Sequence, residues 1–313
     1  MVRVNRADTA KQAAVRCGTA MASRRPIWPG WIPMLILPVV AIALGPPLVP
    51  WLFMWVLAAA IFVGCKWQTW WEQSGKAASV GMTRSLGYLF AWPGMDAEAF
   101  LDAQRHALQP KIKEWIWASI KTVFGGLLLW GGVRFLPEEN GLLAGWVGMF
   151  GIILILHFGT FHLLSLAWRS VGVDAQPIMR APLSALSLSD FWGRRWNLGF
   201  RQLTHQLIFQ PVRRRTGVVP AILLSFFASG VIHDLVISLP ARGGYGLPTG
   251  YFLLQGLGIV FERCPVGEKL GLTSGVRGWL FAAICAGSPA FLLFHLPFVL
   301  RVILPFLRAI GAR

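Results

Sequence analysis

The feature that most constrains this chain is a series of apolar runs, each near the length needed to cross a bilayer. They cover roughly residues 28–44, 49–65, 115–135, 142–168, 218–239, 247–261 and 279–300. A shorter eighth run, 298–310, carries Arg301 and Arg308 and reads as interfacial or as the end of a broken last span. A span needs ~20 mostly apolar residues to cross ~30 Å of hydrocarbon. Backbone N–H and C=O groups in lipid must be satisfied within the protein, so these runs are helices. The alternating pattern of a membrane barrel is absent. Composition agrees, with 55% hydrophobic residues and only 13% charged, about half of the ~25% usual in soluble domains. The sequence therefore reads as an all-α, polytopic integral membrane protein of about seven to nine spans. Residues 27–313 form a single membrane-embedded domain behind a basic tail, 1–26.

Charge follows topology. The formal net charge is +16, and basic loops of membrane proteins collect on the cytoplasmic side. The tail and the loop 169–217 are basic, loop 66–114 is mixed, and 137–141 is acidic with Glu138 and Glu139. Alternation works with the N-terminus inside, which places both long loops in the cytoplasm. No soluble basic domain is present to bind nucleic acid. The 16 tryptophans are mainly explained as interface anchors. Four cysteines without CxxC spacing suggest neither a metal site nor a disulfide framework.

The loop between the fourth and fifth runs holds the chemistry. It reads Ser187-Leu188-Ser189-Asp190 and then Phe191-Trp192-Gly193-Arg194-Arg195-Trp196-Asn197. Ser189 is suited to cap a helix starting near Asp190. The next run ends in Ser229-Gly230-Val231-Ile232-His233-Asp234, which places His233 36 residues after Asn197 and deep in an apolar span. An ionisable residue at that depth is a functional hypothesis by default.

FWGRRWN followed by SG-x-x-H resembles the membrane-bound O-acyltransferase family, most of all its wax synthase branch. The similarity is good over roughly 140–240, while the remainder matches in hydropathy alone. The resemblance implies that His233 and Asn197 are a catalytic pair. It implies transfer of a fatty acyl group from acyl-CoA, the co-substrate, to the hydroxyl of a lipid-like alcohol. A long-chain alcohol giving a wax ester is the preferred acceptor, with sterol, diacylglycerol or another hydroxyl as alternatives. Elementary chemistry fits those residue types. A histidine takes the hydroxyl proton near neutral pH, and an asparagine amide donates to the developing oxyanion or positions the thioester. Trp192 and Trp196 are candidates to shape the acyl pocket. Arg194 and Arg195 are candidates to bind coenzyme A phosphates, although topology alone explains Arg213–Arg215. For Asn197 to meet His233, the segment around 190–212 must re-enter the membrane and enclose a tunnel, because such backbone is tolerated only where protein or a cavity surrounds it.

Other readings stay open. Asp234 either orients a neighbouring group or lines a cavity. His157 and His162 are five apart, which on an α-helix does not put them on one face. A proton- or ion-coupled transporter would use His233 and Asp234, but no internal repeat of the usual kind is visible. Membrane lipids are the expected surroundings, in a bacterial inner membrane or the endoplasmic reticulum. No metal is implied.

Overall fold

The computed structural model describes residues 28–313, and among these there is no β-strand. The basic tail 1–26 lies outside the described residues. The chain builds α1 (Trp28–Leu44), α2 (Pro50–Glu72), two short helices α3 (Ser74–Val80) and α4 (Met82–Ala91), then α5 (Ile112–Phe135) and α6 (Gly141–Ser170). After the loop come α7 (198–216), α8 (Val218–Ala241), α9 (Leu247–Glu262), α10 (Gly275–Leu293) and α11 (296–309).

Five helices, α2, α5, α6, α8 and α10, are long and apolar enough to cross a membrane. Their apolar side chains also face outward, among them Val63, Trp117, Val123, Phe150 and Ile284. This is a multi-pass membrane protein. The expected seven to nine spans are not reached on length alone, because α1 and α9 are apolar but only 17 and 16 residues long. The run expected over 279–300 breaks after Leu293, where the His295 ring accepts from Phe298 N and caps α11. Helix α11 follows that break and packs into the bundle. Its Val299, Val302, Ile303 and Leu307 are buried in a cluster with Ala144 and Met149 of α6 and Ile237 of α8.

Helices approach closely where glycine removes the side chain. A Cβ on Gly230 of α8 would lie 2.6 Å from Thr249 Cα of α9, and one on Gly125 of α5 would lie 2.8 Å from the Gly151 carbonyl of α6. Several long helices also carry a π-helical stretch, at Leu127–Gly131, Leu154–Thr160, His205–Phe209 and Asp234–Ser238. Helices α7 and α8 form a hairpin about the single residue Gly217, at φ 95°. They touch near that turn and part further along it. Asn197 stands 20 residues before Gly217 and His233 16 residues after it, about 30 and about 24 Å along the two arms at 1.5 Å per residue. The two therefore stand at comparable distances from the turn along their arms.

The Gly230 contact sets the spacing of α8 and α9. Gly230→Leu should lower the melting temperature of the detergent-purified protein by the equivalent of about 1–3 kcal/mol, the usual cost of overpacking. Gly250→Ala, where a side chain would meet open space, should leave it unchanged or raise it.

Candidate active site

The segment before Asn197 is fixed by two carboxylates. Ser187 Oγ accepts from Asp190 N at 3.0 Å, so Ser187, and not Ser189, caps the short helix Leu188–Asp190. Ser189 instead donates its hydroxyl to Glu262, whose carboxylate also accepts from the Leu188 and Ser189 amides. Glu262 is fully buried at the end of α9 and acts as a cap supplied from another helix. Asp190 accepts from Leu186 N at 3.2 Å, Arg194 Nε at 2.9 Å and Arg195 Nε at 2.6 Å. Burial pushes its carboxyl up, but the Arg195 hydrogen bond, the Leu186 amide and the two arginine charges outweigh this and hold it below the ordinary carboxylate range. Arg194 is 79% exposed and contributes little to that pairing, whereas Arg195 is 26% exposed. Both guanidinium groups, with Arg180, Ser187, Thr273 and Ser274, line a cavity of about 470 Å³.

Asn197 sits at φ 42°, ψ 58°, between that segment and α7. Few residues other than glycine adopt this left-handed conformation, and asparagine is one of them. Residues 178–180 run beside it, with Arg180 N donating to Arg195 O at 2.8 Å and Leu198 N to Ile178 O at 2.9 Å. Its own amide N–H points to Met179 Sδ at 3.3 Å. The side-chain amide makes no hydrogen bond among the described residues.

His233 is held differently. Its Nδ1 lies 2.6 Å from the Ser229 carbonyl one turn earlier. A carbonyl only accepts, so Nδ1 carries the proton and Nε2 keeps the lone pair. Nε2 has no hydrogen-bond partner and is not among the buried, unsatisfied side-chain atoms. The ring lies 4.3 Å from that of Phe252 in α9. From there an aromatic wall runs through Trp192 (5.6 Å), Phe191 (5.1 Å), Trp196 (5.4 Å) and Phe158 of α6 (6.4 Å). Trp192 Nε1 donates to Gln255 Oε1 at 3.2 Å, and the Gln255 amide donates to the Cys285 carbonyl at 2.7 Å.

The structure thus brings Trp192 to His233 through Phe252, joins Arg194 to Arg195 through Asp190, and stacks Trp196 on Phe191. No hydrogen bond joins Asn197 to His233. Asp234 is committed elsewhere. Its oxygens accept from Ser238 Oγ (2.8 Å), Gly246 N (2.9 Å), Thr249 N (3.0 Å) and Thr249 Oγ1, tying α8 to the start of α9 and leaving little capacity for an ion path. His157 lies in the π-helical stretch of α6, where more than four residues make a turn. This brings it closer to the face of His162 than α-helical geometry predicts. Phe252, Gln255, Ser229 and Glu262 had no sequence signal beyond their place in apolar runs, although a glutamate closing such a run invites the question of its partner.

Comparison with known proteins bears on this segment. Residues 175–254 match the sequence model described as the membrane bound O-acyl transferase family. The segment is similar to that family. The matched stretch contains Trp192, Asn197, His233, Asp234 and Phe252. The chain is also 30% identical over 182 residues to a long-chain-alcohol O-fatty-acyltransferase of Simmondsia chinensis, covering 52% of this chain and 51% of that protein. It is 34% identical over 122 residues to probable long-chain-alcohol O-fatty-acyltransferase 7 of Arabidopsis thaliana, covering 35% and 33% of the two chains. A further relative, probable long-chain-alcohol O-fatty-acyltransferase 6 of the same plant, is 30% identical over 160 residues, covering 48% and 45%. The chain spans about half the length, or less, of the curated relatives it matches.

Asp190→Asn should destabilise the purified protein by about 1–2 kcal/mol at pH 7, the scale of a partly buried charge-assisted bond. Because the folded carboxyl titrates below its ordinary value, this contribution is present above the unfolded pKa of ~3.9 and is lost as pH falls through the folded value. Melting curves of wild type and variant should keep a constant gap from pH 7 to about 5 and converge below that range.

Proposed function

We propose that this protein transfers a fatty acyl group from acyl-CoA to the hydroxyl of a lipid-like alcohol, with a long-chain alcohol as acceptor and a wax ester as product. The observation that carries the reading is His233: its Nδ1 is fixed on the Ser229 carbonyl, which leaves Nε2 as a free base beside an aromatic wall. The alcohol hydroxyl gives its proton to Nε2 as its oxygen attacks the thioester carbon. The carbonyl oxygen becomes an oxyanion, and the unengaged Asn197 amide donates to it. The tetrahedral species collapses with cleavage of the C–S bond. The coenzyme A thiolate leaves and takes the proton back from His233, so no proton is gained or lost overall. Apolar walls exclude the water that would otherwise hydrolyse the thioester.

The cavity at Arg180, Arg194 and Arg195 suits the other end of the donor. Asp190 engages only the Nε of Arg194, so its remaining N–H groups are free for the phosphates of coenzyme A. Trp192 and Trp196 flank the acyl chain. The names of the curated relatives support a fatty alcohol over a sterol or diacylglycerol as acceptor.

The test supplies labelled palmitoyl coenzyme A and hexadecanol to membranes carrying wild type or His233→Ala. Wild type should form labelled wax ester, and the variant should lose about 10²–10⁴-fold, the usual range for a general base. Ester from both would remove His233 from the chemistry. Ester from wild type only with a sterol or diacylglycerol would move the acceptor. Asn197→Gly is the cleaner test of the amide, since glycine keeps the left-handed backbone. It should lower kcat by about 10²–10³-fold. Arg194→Ala should raise KM for palmitoyl coenzyme A, more at low ionic strength, and leave KM for hexadecanol unchanged.

A further inference from the structure

Lys66 lies in α2, 131 residues before Asn197 in the chain, and is 1% exposed. A lysine inside an apolar helix bundle is costly and calls for a partner. No carboxylate meets it among the described residues. Its Nζ donates to the Gly94 carbonyl at 2.5 Å and stands 3.3 Å from the centre of the Tyr88 ring. Tyr88 is itself fully buried and shares a hydrogen bond of 2.7 Å with Thr69, one turn from Lys66 on α2. Lys66 thus ties the extended piece after α4 to the membrane helix α2.

That piece packs against the turn that follows Asn197. A Cβ on Gly199, two residues after Asn197, would lie 3.3 Å from Met95 N and 3.6 Å from Gly94 Cα. The backbones of 94–95 and of the first turn of α7 are therefore in direct van der Waals contact. Met95 is 3% exposed and packs in one cluster with Cys65 of α2 and Leu203 of α7. Asn197 is itself flanked by residues 178–180, through Arg180 N to Arg195 O and Leu198 N to Ile178 O. Its left-handed backbone is thus held by that stretch of chain and, through Gly199, by residues 94–95.

We infer that Lys66 is a positioning residue for Asn197: through the Gly94 carbonyl it fixes the 94–95 backbone against Gly199 and so holds the Asn197 amide in register for the reaction. This rests on the reading that Asn197 serves acyl transfer, and the test has an arm free of that assumption.

Lys66→Met keeps the side chain's length and apolar stem and removes the tie. In the palmitoyl coenzyme A and hexadecanol assay it should lower kcat by about 10²-fold, the effect of an ångström-scale misplacement, with both KM values unchanged. In an Asn197→Gly background the same substitution should have almost no further effect, since the group it positions is already gone. Equal losses in both backgrounds, or an unchanged kcat, would overturn the inference. The second arm needs no activity. Asn197→Cys is treated with N-ethylmaleimide, and the modified peptides are quantified by mass spectrometry with and without Lys66→Met. The thiol introduced at position 197 should label several-fold faster when Lys66 is replaced, while Cys264 and Cys285 keep their rates. An unchanged rate at position 197, or an equal rise at all three thiols, denies Lys66 a specific positioning role. Should Lys66→Met fail to fold, Gly199→Ala pushes α7 off Met95 with Lys66 in place. It should give the same selective rise at position 197, and no rise would overturn the proposal. If wild type makes no ester while the labelling arm behaves as expected, the acyl-transfer reading fails and the positioning role stands.

Discussion

Two carboxylates inside an apolar helix bundle hold this protein together, one near each end of α9. A charge there must be matched by directed donors, and the donors that cost nothing to supply are the free N–H groups at helix starts. Asp234 takes those of Gly246 and Thr249 at the start of α9. Glu262, the last residue of α9, takes those of Leu188 and Ser189 on the segment leading to Asn197. Between these ends α9 presents Thr249 to Gly230, Phe252 to His233 and Gln255 to Trp192. His233 and Trp192 are therefore both referenced to one helix. Their relative placement depends on one rigid element and not on the closure of a long loop.

The histidine shows how a membrane span sets a tautomer without a carboxylate. Water-exposed catalytic histidines are often oriented by an acid. In α8 the carbonyl of Ser229, one turn back, does the same for His233. Asp234 stands next in sequence, but it is consumed by Ser238, Gly246 and Thr249. Ser238 also meets His295 Nε2 at 3.1 Å. Since His295 Nδ1 accepts from Phe298 N, Nε2 is the protonated nitrogen and donates to Ser238, which donates onward to Asp234. That relay joins α8, α9 and α11 apart from His233, as a structural tie.

Much of this was legible in the sequence, and the limits have physical causes. Apolar runs gave the helices because lipid leaves the backbone no alternative. FWGRRWN and the His233 span stood out because arginines and a histidine are out of place beside such runs. The partners of those residues were not legible. Glu262 meets Leu188 across 74 positions and Gly94 meets Lys66 across 28, and no local pattern encodes either distance. Five spans stand on length and composition, and the count stops there where α1 and α9 run to only 17 and 16 residues and where His295 caps a new helix inside an apolar run. The π turn at His157 was not legible either, because it leaves no mark in the pattern of apolar residues.

Those π turns bear on how the chain tolerates insertion and deletion. A π turn amounts to one residue more than an α-helix needs, absorbed as a local bulge. Deleting one residue from it would restore α-helical pairing and leave what lies beyond nearly in register, whereas a deletion from a regular α-helical turn would rotate everything beyond by about 100°. In α8 the bulge spans Asp234–Ser238, immediately after His233. A deletion there would leave His233 facing Phe252 and the helix beyond still in register. The bulge divides one helix into a half that carries His233 and a half that carries the ties, and it absorbs a one-residue change of length between them.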